Sequence, residues 1–140
     1  MKLSDLQLKD WIQTKESGSK VQVGIKFIRN VLMVRENGGI DLIEQNYQPI
    51  PLTNEILEKN FPRYFDDEYY DFYEYNEGLS QVVMSKGPAS SKDGPWSFGY
   101  GRKEDEDSWF RDYVSEFSIT YVHELQHLLR ICGIKKEIVV

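Results

Sequence analysis

The sequence predicts an α+β fold: a curved antiparallel sheet of about six to eight strands with two helices, one near 53–60 and one near 120–132. Three observations predict it. Apolar residues alternate with polar ones in "KVQVGIKF". Tyr- and Val-rich runs are separated by Gly, Asn and Pro turn signals. Two segments carry helix start and stop signals.

The first half reads as strands. "DWIQT" is short and apolar, and "ESGS" after it is a turn. In "KVQVGIKF", Val21, Val23, Ile25 and Phe27 share one face, so a half-buried strand is expected. "NVLMVRENGGIDLI" reads as a hairpin about "ENGG". Pro49 and Pro51 then stop the sheet. Thr53 is an N-cap for a helix that ends before Pro62, with Glu55 in its first turn. Leu52 and Leu57 stand at the N′ and N4 positions of a hydrophobic staple.

The second half returns to strands: "EYYDFYEY", then "LSQVVMS" across a turn at Gly78, then "WSFGYG" and "SWFRDYVSEFSI". "KGPASSKDGP" is expected to be a mobile loop at 86–95, and it lacks the spacing of a phosphate-binding loop. "RKEDED" reads as an exposed turn, and "KEIVV" as a short last strand.

The chain of 140 residues is one domain's length, and 40% hydrophobic residues make a globular composition. A single cysteine, Cys132, allows no internal disulfide, which fits a reducing, cytoplasmic setting. "MKLSDLQLKDW" has no signal-peptide core, and no apolar run approaches the roughly 20 residues of a membrane helix. The net charge of −6 argues against nucleic acid held through phosphates and against anionic membrane. Acid concentrates in "DDEYYDFYEYNE" and "EDED".

"YVHELQHLLRICG" spells H-E-x-x-H, a zinc-hydrolase signature. His123 and His127 would hold the metal and Glu124 would activate water. The segment explains itself without zinc. On a helical wheel Tyr121, Val122, Leu125, Leu128, Leu129 and Cys132 form the core face, and His123, Gln126, His127 and Arg130 lie opposite, expected to face water. Thr120 is placed to cap the start. Gly133 and Ile134 are placed for a Schellman stop against Leu129. No third ligand follows in the order such enzymes use. Cys132 falls on the apolar face as a small core residue.

"QPIPLTNEILEKN", followed further along by "YVHELQHLLRICGIKKEIVV", resembles a family of small uncharacterised proteins of Bacteroides-group gut bacteria and their phages and mobile elements. In that pattern the position of Glu124 is commonly Gln and that of His127 often Asn. The resemblance therefore implies a structural helix, and it implies no activity, cofactor or catalytic residue.

The expectation is a non-enzymatic protein-interaction module without cofactor, binding an unknown protein partner through an acidic, Tyr-rich strand. Tyr69, Tyr73 and Tyr75 share one strand face, Tyr70 and Phe72 the other, and Asp66, Asp67 and Glu68 lead in. Two alternatives are an acidic inhibitor of a nucleic-acid-binding factor, and a zinc hydrolase through His123, Glu124 and His127.

Overall fold

The computed structural model describes residues 1–38, 42–67, 70–86, 95–102 and 112–140. It has helices and antiparallel sheets, as α+β requires, but the strands form two sheets rather than one. The chain divides into two compact units. One holds Met1–Pro51 with Tyr121–His127 and Val140; the other holds Leu52–Thr120 with Leu128–Val139.

The first unit opens with a 3₁₀ turn, Leu3–Asp5, and contains β1 (Trp11–Thr14), β2 (Lys20–Gln22), α1 (Ile25–Glu36), α2 (Leu42–Asn46) and β3 (Tyr47–Pro49). β1 is central, antiparallel to both neighbours, with Ile12 opposite Val21 and Pro49. "ESGS" turns as expected: Gly18 adopts φ 67, and Ser19 N–H donates to Thr14 Oγ1. Leu6, Ile12, Val23, Val31 and Ile43 form the core, and Phe27 meets Tyr47 edge to face at 5.1 Å.

Two expectations fail here. "KVQVGIKF" is not one strand, because β2 ends at Gln22 and a helix starts at Ile25 after Gly24, its N-cap. "NVLMVRENGGIDLI" is not a hairpin either. Its first part continues α1, whose C-cap is Asn37; Gly38 follows at φ 75 and donates to Arg35 O. Asn-Gly suits a hairpin turn and a helix end for one reason, since both need residues that tolerate positive φ. The spacing Phe27, Ile28, Val31 is helical, and those side chains pack on the core.

The second unit contains α3 (Asn54–Asn60) and a five-stranded meander: β4 (Arg63–Asp67), β5 (Tyr70–Glu77), β6 (Ser80–Lys86), β7 (Trp96–Arg102) and β8 (Asp112–Ile119). α3 starts as expected. Thr53 Oγ1 accepts from Ile56 N–H, and the staple residues Leu52 and Leu57 are buried. Gly78 turns β5 into β6 at φ 58. Tyr73, Val82, Met84, Trp96 and Phe98 are buried, and Trp96 Nε1–H donates to Leu52 O at 3.0 Å.

α4 (Val122–Ile131) is shared: residues up to His127 count with the first unit and Leu128 onward with the second. With α1 and α2, four α-helices stand among the described residues where two were expected. "KEIVV" is not a strand. Asn60 holds it instead, accepting from Val139 N–H and donating to Val139 O, each at 2.8 Å. Residues 87–94 of the expected mobile loop, and the "EDED" run, lie outside the described residues.

Candidate functional site

The H-E-L-Q-H segment sits on the first two turns of α4, and every residue in it has a partner or a place. Val122 N–H donates to Ile50 O and Pro51 bridges Tyr121, so the chain is pinned before the helix begins. The expected Thr120 cap is displaced by one residue. Tyr121 precedes the helix, and its N–H donates to Glu124 Oε2 at 3.0 Å. Glu124 is thus the N3 carboxylate of a capping box, reaching back to an otherwise orphaned donor. Leu125 is fully buried.

Gln126 grips the backbone of Lys9 and Trp11, and His127 meets the side chain of Asp10. Gln126 Nε2 donates to Lys9 O and its Oε1 accepts from Trp11 N–H, both at 3.0 Å. His127 Nε2 lies 2.7 Å from Oδ2 of Asp10, which is wholly buried and also accepts from Gln7 N–H at 2.7 Å. Lys9 stands at φ 71, the single positive-φ residue other than glycine among those described. The helix therefore clamps a bend in the N-terminal segment from both sides.

This corrects the expectation that His123, Gln126 and His127 face water. His123 and Gln126 are buried, and His127 is 22% exposed. A helical wheel separates apolar from polar side chains, but a polar side chain is buried readily once it has a partner. His123 stacks on Tyr121, with centroids 5.9 Å apart, and meets His127 edge to face at 5.8 Å. Its Nδ1 is buried without a hydrogen-bond partner. Burial holds its pKa below the usual histidine value, against the opposing pull of Glu124 and Asp10. An open depression of about 580 Å³ adjoins Asp5, Tyr121, His123, Glu124 and His127.

The Glu124 carboxylate is engaged by the helix start, and one ring nitrogen of His127 by Asp10. Among the described residues no three His, Cys, Asp or Glu side chains are placed to share a metal ion. At the other end of α4 the Schellman stop forms as expected. Gly133 has φ 71, its N–H donates to Arg130 O, and Ile134 N–H donates to Leu129 O. Cys132 is half-buried rather than core, and burial raises its thiol pKa.

One face of the Tyr-rich strand was expected to pack on the core and the other to offer contact area, with Tyr73 and Tyr75 among the contact residues. Tyr73 is fully buried, its ring edge-on to Trp96 at 5.7 Å and its hydroxyl donating to Glu58. Tyr75 is half-buried between Phe61, at 5.8 Å, and the Lys136 ammonium, 5.6 Å from its centroid. The face shared by Tyr73 and Tyr75 is therefore the packed one. The backbone pairs Asp66 with Asp71 and Asp67 with Tyr70. Glu68 and Tyr69 lie outside the described residues.

What the sequence reading missed is the outer side of α1. Ile25 is 73% exposed, Met33 49% and Leu32 41%; Leu8 stands beside them at 48%. With Ile28, Arg29 and Glu36 they line a shallow groove of about 440 Å³. The signal was present: Ile25, Ile28 and Leu32 recur at helical spacing beside the separate stripe Phe27, Val31. Reading the segment as strands merged the two stripes. The chain matches no protein-family model, no curated protein and no solved structure.

Proposed function

We propose that the chain is a protein-contact module that performs no covalent chemistry of its own, and that its contact surface is the outer side of α1. The carrying observation is four large apolar side chains, each at least 41% exposed, gathered on one groove. Single exposed apolar residues need no explanation, but a contiguous set on a helix that already has a buried stripe does. Arg29 and Glu36 on the groove give it a polar border, the usual anatomy of a contact patch.

Against the hydrolase reading stands the Glu124 carboxylate, which holds the helix start. The acidic-inhibitor reading gains no support: Glu74 of the Tyr-rich run is buried, and the "EDED" run lies outside the described residues.

A photo-reactive amino acid at position 25 tests the proposal. It should give a covalent adduct with a protein in lysate of the source cells, while the same group at Asn30, exposed on another face of α1, should not. No adduct from position 25 at any concentration would overturn it.

A further inference from the structure

We infer that the partner of the α1 groove is a second copy of this chain, packed antiparallel about a two-fold axis beside Leu32 and Met33. This deepens the contact-module reading and rests on it.

The observation is the placing of charge on the groove. Arg29 and Glu36 both line it. They are seven residues apart, about 10.5 Å along the axis, too far to pair with each other. Neither side chain takes an ion pair or hydrogen bond with any described residue. Their midpoint falls between Leu32 and Met33. A two-fold axis there sets Arg29 of each copy against Glu36 of the other, closing two ion pairs. The same operation sets Leu32 against Met33 of the partner, so the most central apolar side chains meet. A surface that complements itself under one rotation is what an isologous contact requires. An unrelated partner would need an acid and a base at the matching spacing; this chain already carries them.

α1 has 12 residues, a length of about 18 Å. About that axis the two helices overlap over Arg29–Glu36, about 12 Å; that is a small interface, so a dissociation constant on the order of 100 µM is expected.

Sedimentation of the full chain from about 1 to 500 µM tests this. Wild type should pass from monomer to dimer. Arg29→Glu should carry two acids on the groove and Glu36→Arg two bases, so each should self-associate at least about tenfold more weakly. Mixed together, those two variants should pair with each other, because each then meets its opposite. The double swap R29E/E36R should recover wild-type association to within about threefold. Both positions are exposed, and circular dichroism checks that the variants fold. Leu32→Ser, which changes no charge, should weaken association as well.

A wild-type chain that stays monomeric to 500 µM would overturn self-pairing. So would a dimer indifferent to the swaps. The contact-module reading is separable: an adduct from position 25 with the mass of another protein would keep that reading and end this one, whereas twice the chain mass supports both.

Discussion

The two units keep their structure by different means. The second is a sheet closed on apolar and aromatic side chains: Tyr73, Val82, Met84, Trp96 and Phe98 are all buried along three adjacent strands. The first has strands of three or four residues, a smaller apolar core, and a polar clamp in which Asp10, Gln126 and His127 hold one bend. Apolar packing degrades by degrees as atoms are removed. Removing a member of a polar clamp leaves a buried group, here the wholly buried Asp10 carboxylate, with one partner fewer.

Four substitutions would break or sharpen this contrast. The largest effect is expected in the sheet: Trp96→Ala removes a fully buried ring and its bond to Leu52 O, and should cost about 4 kcal/mol in urea unfolding. A cost below about 2 kcal/mol would mean that the strands do not depend on that core. Asp10→Ala should come next, at about 3 kcal/mol, although it deletes only a small side chain. Hydrogen exchange should place the loss in β1 and β2; an equal loss in β6 would erase the distinction between the units.

His123→Phe keeps a ring against Tyr121 and should act mainly through pH. With the folded pKa held below the unfolded value of 6.5, the unfolded chain takes up a proton first as pH falls. His123 therefore costs nothing above pH 6.5, and stability declines as pH falls from there toward its folded pKa. The substitution should flatten that part of the profile; an unchanged slope would assign it to other groups. Glu124→Ala should cost least, about 0.5–1 kcal/mol, as the loss of one capping bond. A larger penalty would give Glu124 a role beyond the cap.

Much of the second unit was legible. Thr53 with Leu52 and Leu57 announced α3, Gly78 announced the β5–β6 turn, and Gly133 with Ile134 announced the end of α4. Each is a local signal, set by what a few adjacent residues do to the backbone. The first unit was less legible for two reasons. Its alternating run crosses from β2 into α1, so the period changes inside a pattern that looks continuous. Its clamp joins residues 117 apart, and no local rule pairs Asp10 with His127. The candidate contact face stayed hidden for the first reason, because it exists only once Ile25 to Glu36 is a helix. The H-E-x-x-H residues were placed on the right helix but on the wrong side of the burial line, since a buried polar side chain is recognised by its partner alone.

The bend at Lys9 has a consequence for how the chain is made. A lysine at φ 71 occupies a conformation that costs about 1–2 kcal/mol for residues with a Cβ. Some of the groups that hold it there lie within the first 23 residues, and the rest arrive with Gln126 and His127. During synthesis the ribosome releases Lys9 more than a hundred residues ahead of them, an interval on the order of ten seconds. Over that time the bend has only its local bonds, such as Gln7 N–H to Asp10 Oδ2 and Lys9 N–H to Val23 O. The part made first therefore waits for the last part to complete its clamp.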